Sequence, residues 1–97
     1  MTEVMHRLKT HPTCWDAIER GEKRFEARRD DRFFQRGDIV RLQRFHPEEG
    51  YSRDEATRAL TRSLDFRIGW ILRGEEYGIK PGFCVFQLEP MEARNEA

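Results

Sequence analysis

The apolar residues of this chain are divided among short segments in which they alternate with polar residues. The segment from Leu64 to Arg73 places Phe66, Ile68, Trp70 and Leu72 on one face. Phe83 to Leu88 is apolar on both faces. A period of two predicts β-strands, and a segment apolar on both faces predicts a central or closing strand. Since 97 residues can build only one small core, we predict a single domain at 1–90 and a frayed acidic tail at 91–97.

The rest of the chain predicts one helix among further strands. Strands are expected at Val4–Thr10, Arg24–Arg29 and Ile39–Phe45. A helix is expected from His11-Pro12 to Gly21. Proline is favoured in the first turn of a helix, and glycine readily adopts the left-handed conformation that ends one. Ser52–Ser63 has a capping-box spacing, so it is either a short helix or a mobile loop. This order predicts an α+β domain, a small mixed β-barrel with one helix after the first strand.

The charges balance in total and are uneven along the chain. The 18 basic and 18 acidic residues give a net charge of zero, yet Arg20–Arg44 holds nine basic and five acidic residues. Local fields act on partners, so a neutral total excludes only strong nonspecific attraction to anions. Fifteen of the 18 basic residues are arginine, which pairs with phosphate through a planar fork. A GC-rich genome explains this excess equally well, so composition alone does not establish RNA binding.

The densest group of functional side chains is G-E-K-R-F-E-A-R-R-D-D-R, Gly21 to Arg32. Alternation sends Glu26 and Arg28 outward on the same face of a strand, and Lys23 lies just before the start of that strand. A lysine, a carboxylate and an arginine held together bind a phosphate, orient a base edge, or donate and accept protons. The alternative is a solvated face with cross-strand ion pairs, each contributing about 0–1 kcal/mol.

Four stretches of the chain resemble small bacterial and phage ASCH-related proteins of the PUA-like superfamily. The most specific are G-x-K-x-F-E-x-R, Gly21 to Arg28, and D-R-x-F-x-x-G-D, Asp31 to Asp38. L-K-T-H-P precedes them and G-I-K-P-G-F-C-V-F-Q-L follows, so that the resemblance extends from His6 to Leu88. It implies a PUA-like β-barrel with a helix beside a cleft that binds RNA or a modified nucleoside.

The resemblance also nominates site residues at the matching positions. Lys23, Glu26 and Arg28 would border the cleft, and Tyr51 could stack a base. Asp30 departs from the polar residue usual before Asp-Arg, which argues against a phosphate contact there. Thr10 matches a further recurring polar position. The residues predicted to bind nucleic acid are Lys9, Lys23, Glu26, Arg28, Asp31, Arg32, Tyr51 and Arg53.

Two functions in particular follow from these residues. The first is an RNA- or nucleotide-binding module that recognises a short single-stranded segment or a modified nucleoside. The alternative is a small metal-independent hydrolase of RNA or acetylcytidine, in which Lys23 and Glu26 are catalytic and Arg28 stabilises the developing charge. Acetylcytidine amidohydrolases of this superfamily carry K-x-x-T, whereas the third residue after Lys23 is Glu26, which counts against that specific activity. A protein-interaction module is neither supported nor excluded.

We expect no metal, no cofactor and no membrane partner. No C-x-x-C or H-x-x-x-H pair anchors a zinc site, and we expect His6 in the core and His11 as a helix cap. The longest apolar runs fall far short of the roughly 20 residues of a membrane span. Two cysteines, Cys14 and Cys84, are too few for a disulfide scaffold, and the charged Met1 end does not resemble a secretory leader. These features predict a cytoplasmic protein, and they carry no information on oligomeric state.

Overall fold

The computed structural model describes residues 3–91, which form a six-stranded sheet and one α-helix. The elements are β1 Met5–Thr10, α1 Pro12–Glu19, β2 Phe25–Arg29, β3 Ile39–His46, β4 Gly50–Tyr51, β5 Leu64–Arg73 and β6 Phe83–Pro90. A 3-10 turn at Glu76–Gly78 lies between β5 and β6. The structure is therefore a small α+β domain, with the helix and the main strands where the sequence predicts them. Of the predicted frayed tail, residues 92–97 lie outside the described part of the chain.

The sheet is open, so the prediction of a β-barrel is wrong. The two end strands, β1 and β2, are not paired with each other. The strands follow the order β1-β3-β5-β6-β2, with β4 paired to β3. β1 and β3 are parallel, and the other pairs are antiparallel. The two end strands, β1 and β2, are connected by side chains: Arg28 Nη2 donates to the carbonyl of Lys9 at 2.8 Å. Arg28 thus occupies the seam between the sheet's two ends, where a barrel would have ladder hydrogen bonds.

The helix packs against β3 and covers the core. Trp15 and Ile18 are its buried residues, and Trp15 Nε1 donates to the carbonyl of Leu42 at 3.2 Å. His11 caps the helix as predicted, because its Nδ1 accepts from the amide of Thr13 at 3.2 Å. Gly21, with φ +83°, follows the C-terminal turn and directs the chain into β2. The core, to which the helix contributes its two buried residues, consists of Leu8, Trp15, Ile18, Phe34, Val40, Leu42, Leu64, Ile68, Cys84, Phe86 and Leu88.

His6 is buried against this core, as the sequence predicts, with its ring centroid 4.8 Å from that of Phe34. It is buried, and its Nε2 lies 2.9 Å from Asp38 Oδ2. The same carboxylate oxygen accepts from the amide of Gln35 at 3.0 Å. A buried histidine with a polar partner of this kind ties β1 to the turn before β3.

One local prediction is wrong, and one open alternative is decided. A register shift interrupts β5 between Ile68 and Ile71, so Trp70 does not share the inward face of Ile68 and is 59% exposed. This is the effect of a β-bulge, which reverses the face that follows it. For the long segment from Ser52 to Ser63 the sequence left a short helix or a loop open, and the structure has a loop without a helix. Instead, the carboxylate of Asp54 accepts from two successive amides, those of Ala56 and Thr57, at 2.9 and 2.8 Å, and organises a turn.

Within residues 3–91, no helix has both the length and the apolar character required to cross a membrane.

Candidate functional site

The charged face of β2 points into the molecule. Along Phe25–Arg29 the burial pattern is reversed relative to hydrophobicity: Glu26 is 4% exposed, whereas Phe25 is 48% exposed. Alternation therefore placed Glu26 and Arg28 on one face correctly, but that face is the inner one. The expectation of an outward, solvated face is wrong, because the partners that make burial of the carboxylate tolerable come from elsewhere in the fold.

Glu26 is held by two cations, one on each carboxylate oxygen. Lys23 Nζ donates to Oε1 at 2.8 Å, and Arg28 Nε donates to Oε2 at 3.0 Å. The predicted proximity of these three residues is thus confirmed. We call Lys23, Glu26 and Arg28 the β2 clamp; with two cations and one carboxylate it carries a net positive charge. Lys23 Nζ also donates to the carbonyl of Phe25 at 2.6 Å, which fixes the ammonium at the start of the strand.

Arg28 extends this network across the seam to β1. Its Nη2 donates to the carbonyl of Lys9 at 2.8 Å and lies 3.3 Å from the hydroxyl of Thr10. Thr10 is buried, and its hydroxyl in turn donates to the carbonyl of Leu8 at 3.3 Å. Arg28 therefore connects the two ends of the sheet, and its position depends on both Glu26 and β1.

A cleft opens over this seam. Its volume is about 320 Å³, and it is lined by Lys9, Thr10, His11, Cys14, Glu26, Ala27, Arg28, Arg29 and Phe83. The lining thus contains three cationic side chains, those of Lys9, Arg28 and Arg29. It contains one carboxylate, that of Glu26, which is already paired. A small cleft with an excess of positive charge and several donors is suited to an anionic ligand.

An aromatic group adjoins the cleft through Lys9. The Lys9 ammonium lies 4.6 Å from the ring centroid of Phe45 and 6.0 Å from that of Tyr51. The two rings pack edge to face at 4.9 Å, and Tyr51 is partly exposed. Tyr51 is not among the cleft-lining residues, but Lys9 belongs to both the cleft and this aromatic pair.

The other predicted residues lie apart from the cleft. Arg32 Nη1 donates to the carbonyl of Arg7 at 3.1 Å, a second connection between the chain after β2 and β1. Arg53 donates to the carbonyl of Arg58 at 2.8 Å within its own loop. Asp31 is exposed and is not part of the cleft lining. The structure thus brings together Lys9, Lys23, Glu26 and Arg28, and leaves Asp31, Arg32, Tyr51 and Arg53 outside.

Sequence reasoning missed several residues of the cleft. His11 was identified only as a cap, yet it also lines the cleft, beside Cys14. Arg29 and Phe83 are directly paired across β2 and β6, and the Arg29 guanidinium lies 5.1 Å from the Phe83 ring centroid. Proximity of β1 to β2 brings these residues to one place, and no local sequence pattern indicates that the ends of the sheet approach each other.

The two cysteines have different environments. Both are free thiols; Cys14 lines the cleft, whereas Cys84 is fully buried. Burial, assisted by the nearby Asp30 carboxylate, raises the pKa of the Cys84 thiol to about 11, so this thiol stays protonated at neutral pH. Among the described side chains, no three from His, Cys, Asp and Glu are grouped as metal ligands.

The fold and the site define a small α+β domain with a cationic cleft at the seam of an open sheet. The chain belongs to the family described as "Domain of unknown function (DUF3850)", whose model matches residues 5–88. That match includes the helix, the β2 clamp and the whole lining of the cleft. A search of curated proteins finds no match to this chain.

Proposed function

We propose that this protein is an RNA- or nucleotide-binding module that holds a short single-stranded segment or a modified nucleoside in the cleft beside the G-x-K-x-F-E-x-R motif. The observation that carries the proposal is the charge of the cleft. Lys9, Arg28 and Arg29 line it, and its carboxylate, Glu26, is occupied by Lys23 and Arg28. An incoming phosphate therefore meets three cations in a lining whose one carboxylate is already paired.

The size and the lining of the cleft are consistent with a nucleoside phosphate. About 320 Å³ lies at the lower end of the range typical for small-ligand sites. Phe83 and His11 supply flat side chains at the cleft, and flat side chains recognise unpaired bases by stacking. The buried hydroxyl of Thr10 and the guanidinium of Arg28 supply polar atoms that could distinguish one base edge from another.

The proposal extends to family and location. We propose that the domain has a PUA-like, ASCH-related fold. In a full barrel the two end strands would be paired, whereas here the Arg28 side chain connects β2 to β1. The motifs of the resemblance and the helix beside the cleft support this reading. The two free thiols, Cys14 and Cys84, support a reducing, cytoplasmic environment.

A salt titration tests the function. Binding of a labelled single-stranded RNA should weaken as salt increases, with a slope of log K against log salt of about −0.7 for each phosphate contacted. Arg29→Gln should make the slope shallower by about one contact, because Arg29 lines the cleft and makes no ion pair with another described residue. Arg62→Gln is the matched control, since Arg62 is exposed, pairs with Glu19 at 2.9 Å and lies outside the cleft. Absence of any RNA or nucleotide affinity at low salt would refute the proposal.

Cys14 offers a second readout at the site itself. Because Cys14 lines the cleft, a bound nucleotide should slow alkylation of its thiol, in proportion to the occupancy of the cleft. Equal alkylation rates with and without saturating ligand would place the ligand elsewhere on the surface.

A metal-independent hydrolase is the second proposal, and one contact favours it. Lys23 Nζ and Glu26 Oε1 lie 2.8 Å apart beside the Arg28 guanidinium, which brings a proton donor, an acceptor and a stabilising cation together. Both oxygens of Glu26 accept hydrogen bonds in this arrangement, so a substrate would have to displace one cation before Glu26 could act as a base. Labelled RNA and N4-acetylcytidine, incubated with the wild type, Lys23→Ala and Glu26→Gln, test it. Turnover by the wild type that both substitutions abolish would support the hydrolase.

A further inference from the structure

The outward face of the sheet formed by β2, β6 and β5 carries apolar and aromatic side chains. Strand pairing places Phe25 opposite Gln87, Ala27 opposite Val85, and Val85 opposite Leu72. The bulge in β5 adds Trp70 to this face, where its amide donates to Gln87 Oε1 at 3.0 Å. We call the face made by Phe25, Ala27, Trp70, Leu72, Phe83, Val85 and Gln87 the outer face.

Two of its aromatic rings are widely exposed. Trp70 is 59% exposed and Phe25 is 48% exposed, although both belong to β-strands whose opposite face packs on the core. Leu72, Phe83 and Val85 are half-buried beside them. Adjacent exposed apolar residues on one sheet mark an interaction surface more often than isolated ones do.

Cations lie against two aromatic rings of the outer face, Trp70 and Phe83. The Arg36 guanidinium lies 5.6 Å from the ring centroid of Trp70, and Phe83 has Arg29 at 5.1 Å and Lys80 at 5.4 Å. Within residues 3–91, Arg29, Arg36 and Lys80 form no ion pair. By contrast, the arginines that brace the fold, such as Arg41 and Arg44, are paired with carboxylates at 2.9 Å. The outer face is therefore aromatic at its centre and has unneutralised positive charge at its rim.

The outer face is continuous with the cleft. Ala27 and Phe83 belong to both, and Arg29, the strand partner of Phe83, also lines the cleft. Phe83 and Gln87 are four positions apart on β6, so Trp70, beside Gln87, lies about 14 Å along the strands from Phe83, at 3.4 Å per residue. That distance corresponds to roughly four stacked nucleotides at 3.4 Å each. The carboxylate of Glu89 lies on the same face against Gly69, next to Trp70, and sets an unfavourable limit for an anion at that end.

We infer that the outer face is a second binding surface for single-stranded RNA, over which a strand held in the cleft continues from Phe83 toward Trp70. The rings stack bases, while Arg29, Arg36 and Lys80 contact phosphates, the combination by which proteins bind single strands. This inference rests on the proposed function of the cleft and specifies its ligand as an oligonucleotide rather than a free nucleotide. An acidic peptide would be attracted by the same charges but would gain nothing from base stacking, so RNA is the better match to exposed aromatic rings.

The test compares a mononucleotide with a single-stranded RNA of roughly eight nucleotides, long enough to cover both surfaces. Affinities are measured by fluorescence anisotropy of labelled RNA and by protection of Cys14 from alkylation. The wild type should bind the oligonucleotide at least about tenfold more tightly than the mononucleotide. Trp70→Ala should reduce oligonucleotide affinity about fivefold or more and leave mononucleotide protection of Cys14 unchanged.

Two further variants keep the test specific. Leu60→Ala is the control, because Leu60 is 53% exposed, similar to Trp70, and lies in the segment between β4 and β5. Arg36→Gln should make the salt slope shallower for the oligonucleotide only. Suppose that Trp70→Ala still binds the oligonucleotide more tightly than the mononucleotide by the same factor as the wild type, and that the mononucleotide still protects Cys14. The inference then fails and the proposed function stands. If neither ligand binds, both fail; if a poly-glutamate peptide binds and RNA does not, the outer face is a protein-docking surface and the inference is overturned.

Discussion

Replacement of Glu26 by glutamine tests whether the β2 clamp is a buried, fully paired network. Glu26 is 4% exposed, and each carboxylate oxygen accepts from one cation, at 2.8 and 3.0 Å. Glutamine retains one carbonyl oxygen and presents an amide NH₂ to the second cation, so one charge-assisted hydrogen bond is lost and a donor faces a donor. A hydrogen bond to a charged group contributes about 1.5–3 kcal/mol.

The cost also depends on how well water can reach the unpaired cation. Removal of one partner from a fully buried ion pair costs about 3–5 kcal/mol, but the Lys23 and Arg28 side chains are 19% and 23% exposed, and partial solvation reduces the penalty. We therefore expect Glu26→Gln to lower the free energy of unfolding by about 2–3 kcal/mol. In urea, with a slope of about 1 kcal/mol/M, the midpoint should fall by about 2–3 M.

Glu22→Gln is the matched control, because the Glu22 carboxylate pairs with Arg20 at 2.9 Å with both side chains more than half exposed. It should leave the urea midpoint unchanged, as expected for a solvent-screened pair. Equal midpoints for Glu26→Gln and Glu22→Gln, with equal slopes, would refute the reasoning. That result would mean that Glu26 is solvated in solution and that the clamp does not exist as a desolvated unit.

Three further predictions concern other parts of the structure. Under native conditions a thiol reagent should modify one cysteine per chain rapidly, Cys14, because burial raises the pKa of Cys84 to about 11; mass spectrometry showing equal labelling of both would contradict this. Gly74→Ala should destabilise the protein by about 1–3 kcal/mol, since a Cβ there would lie 2.9 Å from the backbone of Pro81, and an unchanged melting temperature would disprove the close contact. The hydrogen bond from Arg44 lowers the pKa of Asp16 below 3.8, so this pair stabilises the fold above that pH and the contribution is lost as pH falls through the folded-state pKa. Asp16→Asn should therefore cost up to about 1 kcal/mol at pH 7 for this part-exposed pair and nearly nothing at a pH well below the folded-state pKa, and a cost independent of pH would exclude the ion pair as its source.

Local patterns were sufficient for most of the elements. Pro12 and Gly21 predicted the two ends of α1, and alternation predicted the positions of β2 and β3, because capping preferences and side-chain periodicity act within a few residues. The same patterns misjudged Trp70, since a bulge reverses the alternation and is set by pairing with β6. They left Ser52–Ser63 open between a helix and a loop, and the structure has a loop in which Asp54 organises a turn.

The chemistry of the site was partly readable as well. G-x-K-x-F-E-x-R identified Lys23, Glu26 and Arg28 as neighbours because a turn and a two-residue alternation bring them together locally. The cleft itself required residues from three distant parts of the chain. His11 and Cys14 reach it because α1 begins at the end of β1, and Phe83 reaches it because β6 pairs with β2.

The amino-acid sequence by itself determined where the strands and the helix lie and which charged residues share a face of β2. Only the tertiary structure decided that this face points inward. Hydrophobicity alone would bury Phe25 and expose Glu26, since an isolated carboxylate loses several kcal/mol on leaving water. Once the ends of the sheet approach each other, Lys23 and Arg28 replace that water, and the carbonyl of Lys9 holds Arg28 in place. The burial of a charge depends on partners that the folded chain brings from a distance, and the alternation of a single strand contains no information about them.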